Sequence, residues 1–174
     1  MSFEAFRVTP GTSVDLASWP TRSDVGWDRG KEEGKRRVEV LAARLAELQE
    51  LFYADGGHRL LAVLQAMDTA GKDSTIRDVL GRMNPQGGRV PSLKKPTARE
   101  LAHDYLWRVH PHVPGDGEIV IFNRSHYEDV LVVRVDGLAP EERWRKRYDH
   151  IVEFERMLSD GGTTIVKFVI HVSR

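Results

Sequence analysis

The sequence predicts an α/β fold, a parallel sheet with helices on both faces, and three observations predict it. The runs "RLLAVLQAM" (59–67), "GEIVIF" (117–122) and "TTIVKFVIHV" (163–172) are short and nearly continuously apolar, as strands buried on both faces are. Segments with helical spacing separate them, the alternation that builds a parallel sheet. Polar residues follow the first and third strands directly, at the edge where open parallel sheets bind ligands.

Residues 1–30 mix Gly, Pro, Ser and Asp without period and read as an extended arm before a core over 31–174. From Lys31 to Tyr53, Val38, Leu41, Leu45, Leu48 and Phe52 recur at three and four, which predicts a packing helix ended by Gly56-Gly57. After the first strand, "KDSTIRDVLGRM" sets Ile76, Val79, Leu80 and Met83 at helical spacing. "GRVPSL" is a weak second strand. "PTARE" gives a helix start, with Thr97 as N-cap and Glu100 three positions on, and the helix is expected to run to about Val109. "SHYE" (125–128) repeats that capping-box spacing and opens another helix. Pro140, Glu141 and Glu142 begin a long helix to Leu158, with acids at the positive end of its dipole, and Gly161-Gly162 stops it.

At 174 residues and 40% hydrophobic composition the chain suits one domain. The 26 basic and 26 acidic residues balance, so no global field draws nucleic acid or membrane, and a polyanion must meet a local patch. The absence of cysteine excludes disulfide and thiolate-metal chemistry. The start lacks a signal-peptide pattern and no apolar run approaches the ~20 residues that span a bilayer. The expectation is a soluble cytoplasmic protein with no nucleic-acid or membrane partner.

The segment Ala66 to Asp73, "AMDTAGKD", follows a strand and precedes a helix, the setting of a phosphate-binding P-loop. Gly71 lets backbone amides from Ala70 to Ser74 converge on phosphate oxygens, the helix start adds positive potential, and Lys72 adds a point charge. Ala66 replaces the usual first Gly, and Asp73 replaces the hydroxyl residue that holds Mg²⁺. Asp73, Ser74 or Thr75 could take over that ligation. Asp68 inside the loop makes sense beside phosphate if a hard cation lies between them; the plainer reading is an Asp that caps its own turn. At the end of the third strand, Asn123 stands where P-loop enzymes often carry a Mg²⁺-binding Asp, so Asp68, Asp73 and Asn123 form the candidate metal set. Arg124 is placed to neutralise charge on a transferring phosphoryl group, or else to pair with Glu128 on the surface. From Ile76 to Arg99, the cations Arg77, Arg82, Arg89, Lys94, Lys95 and Arg99 stand against one acid, Asp78. That tract is a groove for an extended polyanion or a solvated face. His110 and His112 lack a third nearby ligand and read as an ordinary loop.

Four stretches carry a resemblance. "LQAMDTAGKDSTI", "NPQGGRV", "KKPTARELAHDYLWRVH" and "FNRSHYEDVLVVRV" resemble the family-2 polyphosphate kinases, in the same order over residues 33–173. The match is closest to the branch with Asn before the Arg-Ser pair, whose members phosphorylate AMP and ADP from polyphosphate. The resemblance implies a three-layer P-loop kinase fold, Mg²⁺ dependence, and a homo-oligomer, dimer or tetramer. It implies inorganic polyphosphate and AMP, ADP or ATP as partners. It places the family's loop residues on Asp68, Gly71 and Lys72, its second motif on Asn123, Arg124 and Ser125, and its basic lining on Arg77, Lys94, Lys95 and Arg134. Asp68, Lys72 and Arg124 are the expected catalytic residues. A kinase of another small metabolite and a non-catalytic polyphosphate-binding module are the alternatives. The family continues past the last strand into a lid, a strand and a helix, so the chain is expected to be a C-terminally incomplete core that transfers poorly and self-associates through 163–172.

Overall fold

The computed structural model describes residues 4–21, 27–67 and 70–173. Over 4–21 the arm is exposed almost throughout and carries two single 3-10 turns, Glu4–Phe6 and Leu16–Ser18. Helix α1 (Gly30–Asp55) ends at Gly56, whose left-handed φ of 63° closes the last turn onto the Phe52 carbonyl. Strand β1 (Arg59–Ala66) leads through a short loop to α2 (Lys72–Thr75), which runs on as a π-helical turn, Ile76–Leu80. Strand β2 (Gly88–Arg89), α3 (Ala98–Leu101), β3 (Ile119–Phe122), α4 (Glu128–Val135), α5 (Glu141–Asp160) and β4 (Thr163–Ile170) follow.

The four strands are all parallel in the order β2-β3-β1-β4. Side chains alternate across the sheet, so each strand feeds two cores. Leu61 and Val63 of β1, with Val120 and Phe122 of β3, face Phe154 and Leu158 of α5. Leu60, Ala62 and Leu64, with Ile119 and Ile121, face Phe52 of α1 and Ile76 and Leu80 of the π turn. The result is three layers, as expected. Each fully buried Leu, Val or Phe contributes about 1.5–3 kcal/mol, so the paired strands β1 and β3 anchor the fold. Strand β4 neighbours β1 over its full length, as the strand order expected. Its outer residues Val166, Phe168 and Val169 are exposed.

Three local readings need correction. The stripe predicted for α1 is only partly its buried face: Phe52 packs against the core and Leu45 is half-buried, but Val38, Leu41 and Leu48 are exposed, whereas Ala42 and Gln49 are each 1% exposed. Gln49 is buried because its Oε1 accepts the Asn84 N–H at 2.9 Å, tying α1 to the loop before β2. That loop approaches so closely that a Cβ on Gly87 would fall 2.4 Å from Gln49 Nε2. The second correction concerns α3. The Thr97–Glu100 capping box forms, but the helix ends at Leu101. The Asp104 carboxylate accepts the Leu106 and Trp107 N–H groups, both at 3.0 Å, and starts a separate turn there. The third concerns "SHYE", which makes no capping box. Ser125 is buried, and its hydroxyl accepts from Gln65 Nε2 at 2.6 Å.

Candidate active site at the sheet edge

The chain leaves β1 toward the α1 face and leaves β3 toward the α5 face. The loops after these two adjacent strands therefore diverge, and the crevice between them is the switch point where open α/β sheets bind ligands. The first loop is shaped by Gly71, whose φ of 91° is strained for any residue with a Cβ. Its carbonyl accepts the Thr75 N–H at 2.9 Å and the Ser74 and Thr75 hydroxyls at 2.8 and 2.9 Å. Both hydroxyls are thus engaged with the backbone. Ala70 N–H reaches the Met67 carbonyl at 3.2 Å. Lys72 folds back over the loop and donates from Nζ to the Ala66 carbonyl at 2.9 Å. A carbonyl is a weak partner for an ammonium, so an incoming phosphate oxygen can displace it. Asp68 lies outside the described residues.

The second loop meets the first. Asn123 Nδ2 donates to Asp73 Oδ1 at 2.5 Å across the crevice. That contact engages one oxygen of the Asp73 carboxylate and the Asn123 amide nitrogen. Arg124 is exposed and, among the described residues, has no carboxylate partner; the alternative surface pair with Glu128 does not form. Lys94 and Lys95 are likewise exposed without an ion pair among the described residues. Arg77 holds an exposed pair with Asp78 at 3.1 Å, a contact worth little in water. Arg134 makes no contact with the loop among the described residues: its guanidinium lies over the Trp144 ring, 5.2 Å from the centroid.

The sequence model of the family "Polyphosphate kinase 2 (PPK2)" matches residues 28–174. The chain belongs to the polyphosphate kinase 2 family. It is 55% identical to an AMP/ADP-polyphosphate phosphotransferase of Meiothermus ruber, over 97% of this chain and 63% of that protein. It is 45% identical to an ADP-polyphosphate phosphotransferase of Rhodopseudomonas palustris, over 97% of this chain and 62% of that one. The crystal structure of polyphosphate kinase 2 from Arthrobacter aurescens TC1 superposes with a TM-score of 0.90 at 44% identity, covering 98% of this chain and 61% of that chain. The chain therefore spans about three-fifths of the length of these relatives.

Sequence reasoning missed the support beneath the second loop. Gln65 at the end of β1 fixes Ser125, which also accepts the Tyr127 N–H at 3.3 Å. His126 is fully buried with its Nε2 3.3 Å from Glu155 Oε1. The Tyr127 hydroxyl donates to the same oxygen at 2.6 Å. Lys167 of β4 donates to Glu155 Oε2 at 2.7 Å and to the Tyr127 hydroxyl at 3.1 Å. Burial pushes the Glu155 carboxyl up, but hydrogen bonds from His126, Lys167 and Tyr127 outweigh it and hold it at about 2. Burial, aided by Glu155, raises the Tyr127 phenol to about 12, so it remains a donor. For Lys167, burial alone would lower the ammonium, but Glu155 and Tyr127 overcome it and raise it. The one available signal was the pairing of "SHY" with a lone buried-face Glu in α5, which spacing alone cannot connect.

Among the described residues no helix is long and apolar enough to cross a membrane.

Proposed function

We propose that the chain is the P-loop core of a Mg²⁺-dependent kinase that moves a phosphoryl group between inorganic polyphosphate and AMP or ADP. The observation that carries the reading is the Asp73–Asn123 hydrogen bond, which joins the loop that carries Lys72 to the loop that carries Arg124. The family of relatives named as polyphosphate phosphotransferases supports it. In the forward reaction a nucleotide phosphate oxygen forms a new P–O bond to the terminal phosphorus of the chain. The bridging P–O bond breaks, and polyphosphate leaves shorter by one unit.

Such transfer asks the protein for position and charge neutralisation more than for covalent help. Lys72 and the amides from Gly71 to Ser74 would hold phosphate oxygens, and the Ala70 N–H would join them only by leaving the Met67 carbonyl. Arg124 meets charge that develops on the transferring group. The oxygens of Asp73 and Asn123 suit a hard cation that keeps water and phosphate among its ligands, and Asp68 would join them. When bound, Mg²⁺ supplies charge neutralisation between neighbouring phosphates. Arg77, Lys94 and Lys95 guide the polyanion; Arg134, engaged with Trp144, contributes only if that stack opens. We read the compartment as the cytoplasm, where these nucleotides are held. Self-association would use residues 163–172, where Val166, Phe168 and Val169 of β4 are exposed, and a Phe168→Glu variant that sediments like wild type argues against that face.

The test is ATP formation from ADP, sodium polyphosphate and Mg²⁺. Turnover that is abolished by a chelator and by Asp68→Asn supports the reading. A chain that binds polyphosphate, yet makes no ADP or ATP from AMP or ADP, overturns it.

A further inference from the structure

The segment that carries Lys94 and Lys95 has no secondary structure of its own between β2 and α3, yet it is pinned at two points by one buried guanidinium. Arg108 is 9% exposed, nearly alone among the basic residues in being buried. Its Nη2 donates to the Lys94 carbonyl. Its Nε lies 3.4 Å from Glu100 Oε1, an ion pair without a hydrogen bond. The other oxygen of that carboxylate, Oε2, accepts the Thr97 N–H at 2.6 Å and completes the capping box. One fork thus holds the backbone at Lys94 directly and at Thr97 through Glu100, on either side of Lys95. Leu93, buried in the core beside it, fixes the start of the segment. Lys94 and Lys95 themselves stay exposed, with their ammonium groups free of carboxylates among the described residues. A buried charge is retained against its desolvation cost where geometry matters. A planar fork reaching two partners is a geometry that lysine cannot reproduce.

We propose that Arg108 is a positioning residue for polyphosphate. It touches no phosphate; it sets the path of the 94–97 backbone so that both ammonium groups face one polyanion. This rests on the polyphosphate reading above and extends it. The order gained is entropic, since two tethered lysines on a fixed backbone lose less freedom on binding than two on a loose one.

The experiment measures binding of sodium polyphosphate and, separately, of ADP by titration calorimetry. The variants are Arg108→Lys, Glu100→Gln, the double variant Lys94→Ala/Lys95→Ala, and each positioning variant in that double background. Glu100→Gln keeps an oxygen for the Thr97 N–H and turns an uncharged NH2 donor toward Arg108 in place of the acceptor, so it decides the matter if Arg108→Lys does not fold. We expect each positioning variant to weaken polyphosphate binding about tenfold in the wild-type background and to have no further effect once both lysines are gone, with ADP affinity unchanged; coupled sites show such non-additivity. Equal losses in both backgrounds, or equal loss for ADP, would mean a general structural role and overturn the proposal. If the lysine double variant itself binds polyphosphate like wild type, the channel reading fails first and this inference with it. If that variant loses binding while folded Arg108→Lys and Glu100→Gln do not, only this inference fails.

Discussion

The two loops that meet at the sheet edge are built in opposite ways. In the loop after β1, Ala70, Lys72, Ser74 and Thr75 all find partners no more than six positions away. In the loop after β3, Ser125, His126 and Tyr127 are tied to Gln65, Glu155 and Lys167, at sequence separations of 60, 29, 28 and 40. The first loop is a local backbone device, shaped by one left-handed glycine and a helix start. The second is held by the half-buried Glu155 carboxylate of α5, which pairs with the exposed Lys167 of the sheet. Damage to the first should therefore cost chemistry and spare the fold. Damage to the second should cost stability first and act on chemistry through Asn123 and Arg124.

Lys72→Ala is the strongest test of that contrast. Removing one preorganised charge from a transferring phosphoryl group costs on the order of a hundredfold or more in rate. The folded protein loses only a hydrogen bond to the Ala66 carbonyl, about 1 kcal/mol, so Tm should move by no more than about 4 °C. Polyphosphate-dependent ATP formation and a melting curve on the same sample check both halves. A large drop in Tm would show that the loop is structural as well as chemical, and the contrast would blur.

Glu155→Gln attacks the other loop and has a signature in pH. The Glu155 carboxyl is depressed from 4.5 to about 2 in the folded state. A depressed acid stabilises the fold above its unfolded value and loses that contribution as pH falls through the folded one. The side chain is 12% exposed, and after discounting for screening the contribution is on the order of 2 kcal/mol at neutral pH. Wild type should be more stable than Glu155→Gln at pH 7, and the gap should close between about pH 4.5 and 2. Denaturant titrations along that range measure it. A gap that does not depend on pH would mean that the carboxylate is replaceable by any hydrogen-bonding group.

The same contrast explains what was legible in the sequence. A local device leaves a local pattern, so Gly71 and Lys72 between a strand and a helix were readable, as were the strand order around β1 and the Thr97–Glu100 box. Support that arrives from distant elements leaves none. Glu155 looks like any solvated acid of an amphipathic helix until α5 is laid on the sheet, and Arg108 was lost inside a helix that ends early at Leu101. Helix α1 shows the related failure, in which the apolar stripe Val38, Leu41 and Leu48 outscored Gln49 as a packing face. A buried glutamine that satisfies one backbone N–H is invisible to hydrophobic period, because its value lies in the partner, Asn84.

Tyr127→Phe makes the smallest change and separates packing from hydrogen bonding in the second loop. The ring remains against His126, with which its centroid distance is 4.7 Å. Only the hydroxyl is lost, and Glu155 keeps His126 and Lys167. The expected cost is about 1 kcal/mol at neutral pH. The phenol is raised from 10.0 to about 12, so its neutral form is favoured in the fold. A raised group gives its full contribution below the unfolded value and loses it as pH rises through the folded one. The difference between wild type and Tyr127→Phe should therefore be flat from pH 7 to 10 and shrink between about 10 and 12. Turnover of the folded variant should fall only a few-fold, because Ser125 still anchors the loop to Gln65. If turnover instead drops as far as in Lys72→Ala while stability barely changes, the hydroxyl acts on the reaction itself, and the division between a chemical loop and a supporting one does not hold.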